Sequence, residues 1–494
     1  MRKMSTLMAL LITGYVLGVL NFLLMPKYYI AFGLKGFVLS LGALAIGLVL
    51  IYSEFEATRR TRYLIHEFMV KVSRLPAVTI ILLMFLMLLG AVNLYYSGFA
   101  LLKLLNTSTT VLPIILLMII ALIWLFLIIL RGRSVEFIGA LAVLFIVFAF
   151  ISLFLMRGQV YDFVTSDTAL EQLNSYRDAV FSFDHSLTVK GVVLMLTTVL
   201  LSLGLGAGVY YVLGSFAPSE MDFKKLLAVI VLLQILLSFT AAFTTVYSIG
   251  AAYQSYENNQ VRFKQVRAEL QNILLNQSQD PSSSEAAMEK YRQLQGVLNE
   301  INQTLNNFHK VQRYASVGDE NPIEAIETFY LIPDIIRESG IRGSSAIIFL
   351  LMGSIFLAGF TTLIVLVEIG AQTSIEAFQM SRNVGVSFIS GIIFVLSAAM
   401  IVSDIKVMLL SAVLSVGGLV IALEGVPLLV GVSPVDKRPI MVGVAVSVLI
   451  GLLTLWTMLG FPDSYVKLGV VVGLLLLLPL IFNNYLMVGS RSGR

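Results

Sequence analysis

The sequence predicts an all-α polytopic membrane protein with twelve transmembrane helices, arranged as a 5+5 inverted repeat with two C-terminal helices and an extracellular helical hairpin insertion. Three observations carry this. The 494 residues are 58% hydrophobic and 13% charged, with a mean hydropathy of +0.92, a composition that only a polytopic membrane protein sustains over this length. Runs long enough to cross roughly 30 Å of hydrocarbon fall near 5–25, 30–52, 76–103, 109–130, 134–156, 188–213, 223–253, 343–373, 383–403, 405–430, 438–460 and 464–487. Finally, the first and sixth runs are broken by glycine at matching positions of two five-span halves, at Gly14 to Asn21 and at Ser202 to Gly208.

The first span opens with Met1-Arg2-Lys3 ahead of an apolar run. That beginning is like a signal peptide's, but no small-residue cleavage pattern follows, so it reads as a retained span. Arg59, Arg60, Arg62, Lys71 and Arg74 follow span 2, and Arg131, Arg133, Lys224, Lys225, Arg382, Lys437 and Arg438 occupy later connections on the same side. The opposite short loops hold little more than Lys27 and Lys103. This bias places both termini in the cytoplasm of a plasma-membrane protein.

Spans 1–5 make a first repeat over 1–156, and a polar external loop fills 157–187. Spans 6 and 7 occupy 188–253, after which the chain leaves the membrane. Tyr256, Asn259, Phe263, Val266, Leu270 and Ile273 recur in steps of three and four, as do Ala287, Tyr291, Leu294, Leu298, Ile301, Leu305 and Phe308. Such spacing marks a packed seam, and Asp280-Pro281-Ser282-Ser283-Ser284 is a turn between its halves. We therefore expect an antiparallel coiled-coil hairpin over 254–320, either solvated or, through 254–315, docking an extracellular protein or a second copy. An amphipathic stretch over 321–342 would lie across an external vestibule. Spans 8–10 take 343–430, and spans 11–12 with a tail complete 431–494.

Glycine in mid-membrane costs about 1 kcal/mol relative to alanine. Backbone leaves helical bonding in lipid only where it is buried in protein or lines a cavity. A pair of such breaks at corresponding places in two halves points to a substrate site in a secondary transporter. For either stretch alone, close packing of small residues is the competing explanation.

Four motifs go further. Gly14-Tyr15-Val16-Leu17-Gly18-Val19-Leu20-Asn21-Phe22-Leu23-Leu24-Met25-Pro26, Ile46 to Glu54 with Arg59-Arg60 behind it, Ser202-Leu203-Gly204-Leu205-Gly206-Ala207, and Ala358-Gly359-Phe360-Thr361-Thr362 with Ser381-Arg382 stand in order along the chain. Together they resemble the neurotransmitter:sodium symporter family, typified by the bacterial leucine transporter, over about residues 5–430. The resemblance implies a sodium ion held by the carbonyls of Gly14, Leu17 and Ala358 and the hydroxyls of Thr361 and Thr362. The alternative for the threonines is bonding back to carbonyls one turn earlier. A second sodium site would use Val16, Asn21 and Leu200, with Leu232 or Gln234 nearest to the family's span-7 asparagine.

By the same resemblance the substrate carboxylate would meet the amides of Val19 and Leu20 and the hydroxyl of Tyr96, walled by Val92, Val199, Ser202, Leu205, Thr362 and Leu366. This apolar wall suits an aliphatic amino acid or amine. Tyr96 beside Tyr95 also fits an interfacial aromatic belt. Departures from the family pattern are Leu20 for a glycine, Tyr15 for a smaller residue, Val199 for an aromatic lid and Leu24 for an external gating arginine, which leaves Asp404 without its partner. A cytoplasmic gate would pair Arg2 or Lys3 with Glu376. Glu54 and Glu368 are intramembrane carboxylates, a costly placement that marks function. Glu368 is a candidate proton site, and Glu424 a candidate cap for loose backbone.

The implied function is sodium-coupled symport by alternating access. The alternative is a transport-inactive scaffold presenting the hairpin. No His, Cys or carboxylate cluster has metal or triad spacing, which speaks against an enzyme; no basic patch supports nucleic-acid binding.

Overall fold

The computed structural model describes residues 2–129, 134–218, 220–277, 284–314, 322–430 and 435–492. The chain runs through α1 (Arg2–Val16), α2 (Val19–Leu23), α3 (Met25–Thr61), α4 (Ile65–Phe68), α5 (Pro76–Leu105), α6 (Leu112–Ile129), α7 (Ser134–Phe163), α8 (Asp167–Val180), α9 (Val189–Ser202) and α10 (Val209–Phe216). It continues through α11 (Phe223–Gln277), α12 (Ser284–Tyr314), α13 (Pro322–Phe329), α14 (Ile332–Glu338), α15 (Ser344–Phe378), α16 (Arg382–Ala399), α17 (Ser403–Leu429), α18 (Lys437–Leu459), α19 (Ser464–Leu475) and α20 (Asn483–Ser492). Among the described residues there is no strand. Ten helical stretches among the described residues are long and apolar enough to cross a bilayer, and the broken pairs α1–α2 and α9–α10 occupy the expected first and sixth crossings.

Burial ranks the crossings. Four-fifths of the apolar windows of α5 and α15 (83% each) are buried, against 33% for α7 and α16 and 22% for the last crossing. The centre of the bundle is therefore α5 against α15, with the broken helices beside them. Gly359 permits this contact, since a Cβ there would lie 1.8 Å from Ser97 Oγ. At the other end of the chain, α17, α18 and α19 also meet through small residues. A Cβ on Gly418 would fall 2.7 Å from Gly451 Cα, and one on Gly469 would fall 2.4 Å from the Met408 carbonyl. Membrane helices approach closely where side chains are absent.

Two boundaries differ from expectation. The first turn of the chain lies not near 25–30 but at Gly33, whose φ of 54° and ψ of −141° break α3 internally. A Cβ there would strike the Ser182 and Ala179 carbonyls at 2.3 and 2.7 Å, so the loop around α8 clamps this hairpin. Pro26 does not end a helix. It sits in the first turn of α3, where a missing N–H is harmless. The second difference is α11, which continues from the membrane into the hairpin without interruption over 55 residues, about 80 Å at 1.5 Å per residue.

The hairpin has two small cores of its own. The distal one joins Val266, Leu270 and Ile301 with Phe263, Tyr291, Leu294, Leu298 and Leu305. The basal one joins Ile249, Ala252, Phe308 and Val311 to Ile335 of α14, with Tyr176, Tyr253 and Tyr256 around them. Residues 280–283 of the expected turn and the side chain of Ala287 lie outside the described residues.

Candidate functional site

Helix α1 ends at Val16, and Leu17 and Gly18 lie in the break before α2. In an unbroken helix the carbonyls of Gly14 and Tyr15 would accept from the amides of residues 18 and 19. Threonine hydroxyls reach them instead. Thr361 Oγ1 donates to Gly14 O at 3.0 Å or to Ala358 O at 2.9 Å. Thr362 Oγ1 lies 3.2 Å from Tyr15 O, 3.0 Å from Ala358 O and 3.5 Å from Gly14 O. Both threonines are buried. Their bonding thus includes the one-turn-back carbonyl of Ala358 and the broken helix together. Gly18 makes room for this, because a Cβ there would sit 2.8 Å from Thr362 Oγ1. Leu17, the fifth expected ligand, lies in the break itself, and the additional carbonyl that Thr362 meets is that of Tyr15.

Next to this cluster is a cavity of about 30 Å³ lined by Tyr15, Val16, Gly18, Val19, Leu89, Asn93, Leu201, Ser202, Gly204, Thr362 and Leu366. A water needs on the order of 10–15 Å³ by this measure, so the cavity takes waters and not an amino acid. Of the expected wall, Val19, Ser202, Thr362 and Leu366 line it; Val92, Val199 and Leu205 are buried away from it. The side chains of Leu20 and Asn21 lie outside the described residues.

Tyr96 does not line the cavity either. Its ring stacks on Tyr330 at 5.9 Å with 9° between planes, Tyr330 Oη donates to the Tyr96 carbonyl at 2.7 Å, and the buried Tyr96 hydroxyl has no partner among the described residues.

Three further polar residues stand at the site. Asn93 lines the cavity and donates from Nδ2 to Leu89 O at 2.9 Å; an amide in mid-span was the available signal. Tyr15 closes the cavity by donating to Gly204 O at 2.7 Å. Gln234 Nε2 donates to Ser202 Oγ at 2.6 Å, whereas Leu232 is 58% exposed and faces outward. Of the two candidates, Gln234 is therefore the one that α11 turns toward the core. At the expected second ion site, Val16 lines the cavity and Leu200 is fully buried within α9.

The sixth crossing opens between Ser202 and Val209, where Gly204, Gly206 and Gly208 take φ of 77°, 94° and 69°. Only glycine adopts such angles cheaply. The freed amides of Gly206 and Gly208 donate to the Glu424 carboxylate, the latter at 2.7 Å, and Tyr211 Oη donates to the Glu424 carbonyl at 2.7 Å. Glu424 thus caps loose backbone as the sequence suggested. Glu368 has a charged partner. It forms a two-pronged ion pair with Arg382, both contacts at 2.7 Å.

At one end of the bundle the Glu376 carboxylate accepts from the backbone amides of His66, at 3.1 Å, and Glu67. It caps α4, and the side chain of its expected partner Arg2 lies outside the described residues. At the other end α13 and α14 cover the site. Lys103 pairs with Asp334, and Lys406, not Asp404, supplies the contact from α17 by pairing with Glu327.

No protein-family model matches the sequence, and no curated protein matches it. The structure is similar to that of MhsT, solved in complex with L-phenylalanine, with a TM-score of 0.53 and 13% identity over 98% of each chain. This likeness shows a LeuT-like fold spanning nearly the whole chain.

Proposed function

We propose, from this fold and its two broken helices, that the protein is a sodium-coupled secondary symporter of a small amino acid or amine. It would work in the plasma membrane by alternating access, with both termini in the cytoplasm. The observation that carries the reading is the pair of buried threonine hydroxyls aimed at carbonyls left free by the break in α1. Oxygen donors of this kind suit a hard cation, and unwound carbonyls are where such folds hold sodium. Gly14, Ala358, Thr361 and Thr362 would hold the ion, with Leu17 as the fifth donor. The ion's charge would favour an anionic substrate group beside it. The amides of Val19 and Leu20 and the unpartnered hydroxyl of Tyr96 are the proposed carboxylate partners, once Tyr330 has moved. Asn93 and Ser202 make the proposed pocket more polar than an all-aliphatic wall, which favours a small substrate.

The test is thermal stability of the purified protein in sodium against potassium. Sodium should raise the melting temperature, and Thr361→Val with Thr362→Val should abolish the increment while leaving the potassium value nearly unchanged. An increment that survives both substitutions removes this site.

A second reading, a transport-inactive scaffold that displays the hairpin over 254–315 to an extracellular partner or a second copy, draws on the small size of the cavity. Adding a panel of amino acids and amines in sodium separates the two. Selective stabilisation by one class supports transport; silence throughout supports the scaffold.

A further inference from the structure

Beside the break in the sixth crossing lie two carboxylates in very different circumstances. Glu424 is fully buried but well provided for, with two amides donated by Gly206 and Gly208. Those amides are held in place by glycines that accept no side chain. A Cβ on Gly206 would lie 2.8 Å from the Phe85 ring, and one on Gly208 would lie 2.3 Å from Ile65 Cδ1.

Glu54, on α3, is equally buried, yet neither of its carboxylate oxygens has a donor among the described residues. The backbone around Glu54 packs on both neighbouring elements: a Cβ on Gly214 of α10 would lie 2.3 Å from the Phe55 carbonyl, and one on Gly425, next to Glu424 in α17, would lie 3.2 Å from Leu50 Cδ2. The titratable groups close enough to act on Glu54 are the Glu424 carboxylate and three phenols, Tyr15 from α1 and Tyr210 and Tyr211 from α10. Every one of those phenols is committed elsewhere. Tyr15 donates to Gly204 O, Tyr210 to Leu203 O and Tyr211 to Glu424 O. The ion pairs formed by Arg59, Arg60, Lys103, Arg382 and Lys406 go to other acids.

An anion at Glu54 would therefore be a buried charge with no donor to compensate it, beside a carboxylate that already holds both freed amides, and an uncompensated buried charge is costly.

We propose that Glu54 and Glu424 form a proton-binding pair alongside the broken sixth helix, with the proton on Glu54 and the negative charge on Glu424. The charge stays on Glu424 only while the Gly206 and Gly208 amides point at it. Any rearrangement of 203–208 that withdraws them changes which member holds the proton, so proton uptake or release follows the shape of this segment.

The experiment is infrared spectroscopy of the full-length protein in lipid nanodiscs, read at the C=O stretch of a protonated carboxylic acid. The wild type should show this band at pH 7. Glu54→Gln, which has the shape of the neutral acid, should lose it and melt close to the wild type, while Glu368→Gln should keep it. In Glu424→Gln the neighbouring negative charge is gone, so the band should persist at pH 7 or below but disappear on alkaline titration at a lower pH than in the wild type. A wild type with no band, a band unaltered in Glu54→Gln, or an unshifted titration in Glu424→Gln overturns the pair. The inference is independent of sodium coupling. Glu54→Gln should retain the sodium-dependent rise in melting temperature if the symporter reading holds, and the infrared result stands whichever way that goes.

Discussion

Gly18 is a position where the absence of a side chain makes the site. A methyl there would fall on Thr362 Oγ1 at 2.8 Å, so Gly18→Ala should push the hydroxyl off its carbonyls. A sodium titration of melting temperature should show affinity weaker by about tenfold or more, the loss of roughly one charged-group hydrogen bond. Gly204 fails differently. Its φ of 77° already disfavours any side chain, and a Cβ would meet the Tyr15 ring at 2.2 Å. Gly204→Ala should cost about 1–3 kcal/mol from the backbone alone, and more with the clash, seen as a lower melting temperature in sodium and potassium alike. These glycines were legible in the sequence because two glycine-rich stretches stand at matching positions of the two halves, a pairing that close packing of one helix does not require. Asn93 was not, because a single amide in an apolar run gives no indication of whether it faces a cavity, a neighbour or its own helix, and Gln234 was legible only as one of two alternatives with Leu232. Tyr15 was read only as bulk; its bond to Gly204 depends on two breaks meeting in space.

Among the elements, α11 shows both the reach and the limit of pattern reading. The heptad spacing names the residues of the distal core, among them Val266, Leu270, Leu298 and Ile301, since a seam every three or four residues has few other causes. Helix continuity from Phe223 to Gln277 was hidden, because hydropathy changes sharply after Tyr253 while the backbone has no reason to stop there. Gly33 was hidden for the converse reason, as one glycine among the 37 of the chain. The two cores of the hairpin predict unequal effects. Replacing 262–305 by a short flexible turn removes only the distal core and should leave the melting temperature of the membrane part within a degree or two. Phe308→Ala strikes the basal core, where its ring packs on Tyr256 at 4.2 Å and Tyr253 at 4.7 Å. Losing a buried phenylalanine typically costs about 3–5 kcal/mol, so hydrogen exchange should rise at the base of the hairpin and in α14, where Ile335 contributes to the same core.

For the molecule as a whole, the question is what keeps the face beneath α13 and α14 shut. The Lys103–Asp334 and Lys406–Glu327 pairs are partly solvated, with Glu327 half exposed, and such pairs are worth about 0–1 kcal/mol. Tyr330 makes the stronger contribution. It stacks on Tyr96 and donates to the Tyr96 carbonyl in a buried setting; a ring pair brings about 0.5–1.5 kcal/mol and a hydrogen bond a similar amount. Because the chain contains no cysteine, a single one at Asn93, on the wall of the cavity, reports opening without background. Asn93→Cys should react slowly with a charged thiol reagent added from the side of α13 and α14. Adding Tyr330→Ala removes about 1–3 kcal/mol of closure and should raise the rate roughly 5–150-fold, whereas Lys406→Ala should raise it no more than about fivefold. If Lys406→Ala matched Tyr330→Ala, charge and not ring stacking would hold the cover down; if neither changed the rate, the cavity would open by a route that bypasses α13 and α14 altogether.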